Sequence, residues 1–350
     1  MQTAQRIEVI DALRGLAALS VAWFHFTNGG GLLSPGLLKT SGSYGWIGVE
    51  VFFVISGFVI PFSMSTGGYV LVRDGARFLA RRLIRLEPPY LCSVVLCVGL
   101  TYLSSWIPGF RGPQPDYSLR QVLLHVGYLN AFFDLPWINV VYWSLAIEFQ
   151  YYLMIALVFP AIGHPNAYAR TASFLLLCAA PCYLNHDQFI GHWLGLFGMG
   201  IATWSYRMVS HRLGEYALFL VASCASVWFS LGAEVVMVAL PATLLIAFAR
   251  IPRIGALARL GAISYSLYLL HVPIGGRIIN FANRFDPSAI RDGLALAGAV
   301  GLSLIAAQLW FMCLEKPSHA LARRVTYGRV PPGAQPAGVT IEGQPARAIR

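Results

Sequence analysis

Residues 10–26 read IDALRGLAALSVAWFHF, a mostly apolar run that carries an arginine and a histidine within it. Such a run is typical of a membrane-spanning helix, which needs about 20 mostly apolar residues. Arg14 and His25 are eleven residues apart, so they lie only about 20° apart around the helix and roughly 16 Å apart along its axis. The run therefore predicts a first span with one polar face, on which both side chains lie.

The rest of the chain has the same apolar character. Of its 350 residues, 57% are hydrophobic and 11% are charged, whereas a soluble domain is usually about 45–50% apolar and about 25% charged. This composition excludes an ordinary soluble domain, because roughly a quarter of such a chain's surface stays in contact with water. The net charge of +10 comes mainly from arginines at helix ends, so it indicates membrane topology and no nucleic-acid partner.

Ten apolar stretches are long enough to cross a membrane. They are residues 10–28, 44–65, 88–107, 140–161, 171–186, 188–206, 214–230, 234–250, 262–283 and 291–314. With both termini in the cytoplasm, eighteen Lys and Arg residues lie on inner segments and five on outer ones, as the positive-inside rule requires. The predicted fold is an all-α, polytopic transmembrane bundle of about ten spans. A further stretch, 119–134, is short and interrupted by polar residues, which predicts an interfacial or re-entrant segment.

These spans form one predicted domain, residues 6–317. Residues 318–350 are rich in Arg, Pro, Gly and Ala and have no apolar period, which predicts a disordered cytoplasmic tail. Glycines at 191, 195, 198 and 200 predict close helix packing. The six cysteines lie in apolar stretches without nearby histidine partners, so we expect neither a metal site nor a disulfide framework.

Two carboxylates are predicted at the depth of His25. Glu50 lies in the second span and Glu148 in the fourth, each roughly 9–12 Å below the outer surface. Ionisable groups inside a span cost on the order of several kcal/mol, so each is a functional candidate. A histidine beside a carboxylate is what proton removal from a hydroxyl requires, because the carboxylate orients the imidazole and stabilises its cation. The alternative is a set of polar contacts that only hold the helices together.

Further candidates for the acceptor site or its wall lie in the fourth and ninth spans: Trp143, Ser144, Tyr151, His271 and Arg277. Ser144 is one turn from Glu148, so the spacing allows a hydrogen bond between them. Pro273 and the glycines that follow it predict a bend in the ninth span, a feature found around buried sites.

A stripe of arginines precedes the third span. Its members recur at every fourth position, with one more beside them: Arg73, Arg77, Arg81, Arg85 and Arg82. Such a stripe binds anionic lipid headgroups, and it equally suits the phosphates of a nucleotide-containing donor. The spacing alone does not discriminate between these two ligands.

Taken together, these segments resemble the acyltransferase-3 family of membrane proteins, which O-acylate bacterial surface polysaccharides, lipopolysaccharide, nodulation factors and some macrolides. The likeness covers roughly residues 6–317. It rests on the first-span sequence quoted above, GVEVFFVISGF (48–58), RRLIRLEPPY (81–90), YWSLAIEFQYYL (142–153), SYSLYLLHVPI (264–274) and EKP (315–317).

The resemblance implies an acyl-coenzyme A donor, a key histidine at His25 and an arginine at Arg14. It also implies a basic motif at positions corresponding to Arg81, Arg82 and Arg85. One departure is Glu50, where family members often carry Asp. The acidic character is kept, but the side chain is longer.

Sequence and resemblance together predict an O-acyltransferase of the bacterial inner membrane, with acetyl as the expected acyl group. Acyl-coenzyme A is expected as co-substrate, and no permanently bound cofactor is expected. The phosphates of acyl-coenzyme A are expected to bind Arg14, Arg77, Arg81, Arg82 and Arg85. His25 would act as general base or acyl relay, oriented by Glu148 or Glu50, on a sugar hydroxyl of a surface or exported glycan. The rival is a proton-coupled transporter or flippase of a glycan or lipid-linked intermediate, which would use the same buried charges as a proton relay. The identity of the acyl group and of the acceptor stays open.

Overall fold

The computed structural model describes residues 8–108 and 114–328, together with the backbone of residues 2–7. All regular structure in these ranges is helical. The α-helices are α1 (Gln2–Phe24), α2 (Leu37–Thr40), α3 (Gly48–Thr66), α4 (Leu71–Ser105), α5 (Leu119–Leu123), α6 (Tyr142–Ile162), α7 (Ala167–Ala179), α8 (Ile190–Ser205), α9 (Leu213–Leu231), α10 (Ala233–Phe248), α11 (Gly255–Ala262), α12 (Ser264–Leu270), α13 (Gly276–Ala282), α14 (Ala289–Trp310) and α15 (Lys316–Ala322). Four π-helical turns, His25–Gly29, Tyr206–Ser210, His271–Gly275 and Phe311–Glu315, continue α1, α8, α12 and α14.

The predicted all-helical fold is confirmed for these residues, and each of the ten predicted apolar stretches coincides with helix. Six segments are long and apolar enough to cross a membrane: Glu8–Gly29, Leu37–Thr66, Leu71–Ser105, Tyr142–Ile162, Leu213–Leu231 and Ala289–Ala322. A seventh is counted if α11 and the α12–α13 segment, bent by 55° relative to each other, form one span. Because α7, α8 and α10 have only 13, 16 and 16 residues, the count of ten stays a prediction.

Helix α8 lies inside the bundle and crosses α3 at a pair of glycines. A Cβ atom added to Gly57 would lie 2.2 Å from the Phe197 carbonyl oxygen, and one added to Gly200 would lie 2.2 Å from the Val54 carbonyl oxygen. The two backbones therefore touch directly, which confirms the close packing predicted for Gly200. Fourteen of the 16 residues of α8 are buried, as expected for a helix that is apolar on all sides.

Helix α4 joins the arginine stripe to the third predicted span without interruption. Its 35 residues include Pro88 and Pro89, which remove two intrahelical hydrogen bonds. Neighbouring helices bond to the backbone on either side of this point: the Tyr265 hydroxyl donates to the Leu86 carbonyl (2.9 Å), and the Trp310 indole donates to the Pro89 carbonyl (3.3 Å). These side chains bond to α4 from α12 and α14, so the stripe has a fixed position relative to the bundle.

The segment at 119–134 has the irregular backbone that its sequence predicts. It consists of the short helix α5, turns, and a 3-10 turn at Asn130–Phe133. Gly127 and Tyr128 both have left-handed backbone conformations, with φ of 76° and 60°. The Tyr128 ring stacks on that of Tyr90 (4.6 Å between centroids), and the Gly127 amide donates to Glu87 (3.3 Å). The segment is therefore packed against α4.

The end of the described chain differs from the predicted disorder. Residues 318–322 belong to α15, and the chain stays in contact with the bundle as far as Gly328. The Gly328 amide donates to the buried Asp74 carboxylate (2.9 Å), and the Tyr327 ring packs edge-on against Tyr69. These contacts depend on tertiary partners that the local composition does not reveal. The rest of the predicted tail, 329–350, lies outside the described residues.

Candidate active site

An elongated, partly open cavity lies between α1, α3, α4, α6 and α12; its empty space, including the part open to solvent, is about 780 Å³. Along α3 its lining extends from Val49 to Ile60, eleven residues or roughly 16 Å at 1.5 Å per residue. Its polar lining consists of Arg14, Ser56, Arg82, Arg85, Ser144, Glu148, Tyr152, Tyr265 and Tyr268. A cavity of this length, with several polar groups on an apolar wall, is typical of a site for a long, flexible ligand.

Three arginines give this cavity its positive charge. Arg85 donates to the His319 ring (3.1 Å), and the Arg82 guanidinium lies over the rings of Phe78 and Tyr152. Arg14 lines the cavity without a hydrogen bond or salt bridge to any described residue. Because guanidinium groups bind phosphate oxygens through paired N–H donors, this cluster suits a phosphate-bearing ligand.

The predicted basic stripe is divided by the fold. Arg82 and Arg85 line the cavity, whereas Arg77 and Arg81 do not. The buried Asp74 carboxylate binds Arg73 (2.6 Å) and Arg77 (3.4 Å). Part of the stripe is therefore tied to a neighbouring carboxylate, while phosphate binding by its members stays a prediction.

Glu148 lies on the cavity wall, but its hydrogen-bond partners do not include Ser144. Its carboxylate accepts hydrogen bonds from Ser56 (2.8 Å) and Tyr152 (2.6 Å). The Ser144 hydroxyl instead lies 3.1 Å from the Val141 carbonyl and 2.6 Å from the Tyr268 hydroxyl. The Ser144–Glu148 bond that the spacing allows is therefore not formed, because a helical serine readily bonds to the carbonyl of the preceding turn.

Trp143 and Tyr151, two of the candidates for the acceptor site or its wall, belong to the packing core. Trp143 packs against Phe53 and Trp193, with ring centroids 6.4 and 5.0 Å away. Tyr151 stacks on Phe197 at 4.1 Å. Neither Trp143 nor Tyr151 lines the cavity; their rings fill the space between α6, α3 and α8.

Two histidines meet next to the cavity. The ring centroids of His25 and His271 are 5.2 Å apart, and each residue is the first of a π-helical turn. The Tyr268 ring, which lines the cavity, lies 5.9 Å from the His271 ring. Neither histidine lines the cavity itself; Tyr268 connects the two, because it lines the cavity and its ring contacts that of His271.

The remaining predicted residues form no described hydrogen bond to this pair. Glu50 is buried, and one of its carboxylate oxygens has no hydrogen-bond partner among the described residues. Neither Glu50 nor Glu148 forms a described hydrogen bond to His25. Arg277 donates to the Pro273 carbonyl (2.7 Å) and lies near the hydroxyl of Ser104, away from the cavity.

The sequence prediction missed the tyrosines. Tyr265 and Tyr268 line the cavity beside the arginines and Glu148. Their spacing of three places them on one face of a helix, and this signal was available in SYSLYLL. Their contact with α6 and α4, however, depends on which spans are neighbours. The site thus combines cations for an anionic group, a carboxylate with hydroxyl partners, and an imidazole pair able to accept a proton.

Comparison with known proteins gives the family. A family model described as an acyltransferase domain matches residues 7–310. The membrane-bound transacylase BcsY of Komagataeibacter xylinus is 29% identical over 353 aligned residues, which cover 88% of this chain and 81% of that protein. The O-acetyltransferase OatA of Staphylococcus aureus (strain NCTC 8325 / PS 47) is 29% identical over 174 residues, 47% of this chain but only 26% of OatA. No solved structure matches the chain.

The family match covers most of the chain and agrees with the resemblance seen in its motifs. The apolar helices and the membrane-bound relative agree on a multi-pass membrane protein. The chain belongs to the acyltransferase-3 family and is an acyltransferase that transfers groups other than aminoacyl groups.

Proposed function

We propose that this protein transfers an acyl group, most simply acetyl, from cytoplasmic acyl-coenzyme A to a sugar hydroxyl of a surface or exported glycan. It would act in the bacterial inner membrane. The observation that carries the proposal is the cavity described above. It is lined by three arginines, is roughly 16 Å long, and is bounded by a tyrosine that contacts the His271–His25 pair.

The donor half of the proposal is supported by charge and shape. A coenzyme A thioester has a phosphate-rich nucleotide at one end and a narrow, uncharged arm that ends in the thioester. Arg14, Arg82 and Arg85 would bind the phosphates. The arm would then lie along α3 between Phe52, Val59 and their neighbours, and the thioester would point towards Tyr268.

The transfer step assigns the base to His25. The acceptor oxygen attacks the thioester carbonyl, a carbon–oxygen bond forms, and the carbon–sulfur bond breaks. His25 takes the hydroxyl proton and returns it to the departing thiolate. In the relay form, a ring nitrogen of His25 first takes the acyl group and then passes it to the acceptor. In either form the thioester would have to pass the Tyr268 ring, which lines the cavity and contacts His271.

The acceptor half rests on the names of the relatives and on the family resemblance. OatA is an O-acetyltransferase and BcsY a transacylase, so a hydroxyl acceptor and an acetyl group are the simplest expectation here. The direct test compares the surface glycans of cells with and without the gene by mass spectrometry. Loss of O-acyl groups in the mutant supports the proposal, and an unchanged glycan contradicts the choice of acceptor.

Arg82→Ala is expected to weaken coenzyme A binding by about 10–100-fold, because one charge-assisted hydrogen bond contributes about 1.5–3 kcal/mol. The matched control is Arg77→Ala, on the same helix but outside the cavity and 48% exposed. It should change binding by less than about threefold. Titration of the purified full chain in detergent with coenzyme A measures both constants.

An equal loss of coenzyme A binding in the two variants would indicate a general effect of the positive stripe, and an unchanged constant in Arg82→Ala would contradict the donor site. Because Arg82 also contacts two aromatic rings, Arg82→Lys is measured alongside. It keeps the charge and should recover part of the affinity, whereas a purely structural defect would also lower the melting temperature without ligand.

A further inference from the structure

We infer that His271 is the positioning residue that orients His25, in the place that a carboxylate has in many catalytic triads. This inference rests on the proposed role of His25 and adds a specific partner to it. Its basis is the contact between the two imidazoles, the hydrogen bonding of His271 and the packing of the two π-helical turns.

The hydrogen bond at one ring nitrogen of His271 makes the other ring nitrogen an acceptor. The side chain is fully buried, and its Nδ1 lies 3.1 Å from the Leu267 carbonyl oxygen. A carbonyl can only accept, so Nδ1 carries the proton and a neutral ring leaves a lone pair on Nε2. Nε2 is buried and has no partner among the described residues. Buried polar atoms are nearly always hydrogen-bonded, so an open acceptor of this kind points to a hydrogen-bond donor nearby.

His25 is the group that can supply this donor as an N–H. Its ring centroid lies 5.2 Å from that of His271, with the two rings tilted by 44°. The rings form no described hydrogen bond in this arrangement, but at this separation a rotation that makes two ring nitrogens face each other would bring them within hydrogen-bond reach. Neither nitrogen of His25 bonds to a described residue. If one nitrogen donates to Nε2 of His271, the other is left with the lone pair that a general base needs. The tautomer of His25 is then set by His271.

The backbone holds the two rings at this distance. Both histidines begin π-helical turns, which are frequent at functional sites. The two turns touch where Gly275 meets Phe26, because a Cβ atom on Gly275 would lie 2.4 Å from the Phe26 ring. A Cβ atom on the adjacent Gly276 would meet nothing within 4 Å. The close approach to Phe26, the residue that follows His25, is thus made by Gly275 and not by Gly276; the Cβ atom on Gly275 would also lie 2.7 Å from the Ser303 hydroxyl.

Two substitutions at His271 separate a positioning role from a structural one. His271→Asn places an amide near the position of Nδ1, so it can keep the bond to Leu267 but removes the acceptor that faces His25. His271→Gln places its amide oxygen near the position of Nε2 and can still accept from His25. We expect kcat to fall about 100-fold or more for His271→Asn and at least about tenfold less for His271→Gln, with KM for acyl-coenzyme A unchanged in both.

His125 provides the matched control. It is also buried, but both of its nitrogens bond to backbone, Nδ1 with the Gln121 carbonyl (2.8 Å) and Nε2 with the Ile138 amide (3.3 Å). His125→Asn and His125→Gln should lower the melting temperature and leave kcat of the folded protein within about threefold of the wild type. If His271→Asn were as active as His271→Gln, or more active, His271 would be structural and the inference would be wrong.

A second pair of variants decides the question if neither His271 variant inserts into the membrane. Gly275→Ala should separate the two rings and lower kcat, whereas Gly276→Ala should have no effect. Equal activity of these two variants would contradict the inference. Failure of the inference can be distinguished from failure of the proposed function. Activity that survives His25→Ala would contradict the proposed role of His25 itself. If His25→Ala is inactive but His271→Asn is active, only the inference about His271 fails.

Discussion

His25→Ala is expected to lower the rate of acyl transfer by about two to four orders of magnitude, which is the usual contribution of a positioned acid–base group. His25 contacts His271 at the end of the predicted donor path. The rate is measured with labelled acetyl-coenzyme A in membranes that contain the protein. His186→Ala is the matched control, because this histidine is 61% exposed in a loop.

The same preparation separates the two forms of the mechanism. If His25 carries the acyl group, wild-type protein mixed with acetyl-coenzyme A alone should release about one equivalent of free thiol per chain before an acceptor is added. If His25 is only a base, this burst should be absent. Transfer at the wild-type rate by a correctly inserted His25→Ala protein would remove His25 from the mechanism.

Arg14→Ala should raise KM for acyl-coenzyme A by about 10–100-fold, the effect of losing a hydrogen bond between charged groups. Arg14 lies in the first predicted span, lines the cavity and has no salt-bridge partner among the described residues. Its guanidinium is therefore available to a ligand. Arg14→Lys keeps the charge but loses the paired donors, so its KM should be intermediate. Steady-state kinetics over a range of donor concentrations give these values.

Arg170 shows what a structural arginine would do in the same measurement. Its guanidinium makes a buried salt bridge of 2.6 Å to Glu215, so Arg170→Ala leaves an unpaired buried carboxylate and should destabilise the fold by about 3–5 kcal/mol. The folded fraction of Arg170→Ala should keep the wild-type KM. If Arg14→Ala showed the same pattern, a lowered melting temperature and an unchanged KM, Arg14 would have no part in donor binding.

The helices of the fold could be predicted to the extent that their apolar sequences show that they lie in a membrane. Apolar runs such as 10–28 and 140–161 coincide with α1 and α6 because each must face either lipid or other helices. The continuity of α4 through Pro88 could not be predicted. The hydrogen bonds that α4 accepts beside this proline come from Tyr265 and Trp310, which lie far away in sequence. The ordered conformation of residues 323–328 likewise depends on a contact with the distant Asp74.

The site was predicted in part for the same reason. Helical periodicity and unexpected charge were enough to select Arg14, Arg82, Arg85 and Glu148, which the fold gathers around one cavity. Periodicity within a helix does not say which helices are neighbours. The meeting of His25 with His271, and the position of Tyr268 beside them, therefore could not be read from the sequence.

The length of α4 has a consequence for where each part of the donor would lie under the proposed function. A helix of 35 residues is about 52 Å long, while the hydrocarbon layer is only about 30 Å thick. Its more polar first half, which precedes Pro88, can therefore project into the aqueous phase while the remainder crosses the membrane. A nucleotide held there would stay hydrated, and only the slender uncharged arm would have to leave water.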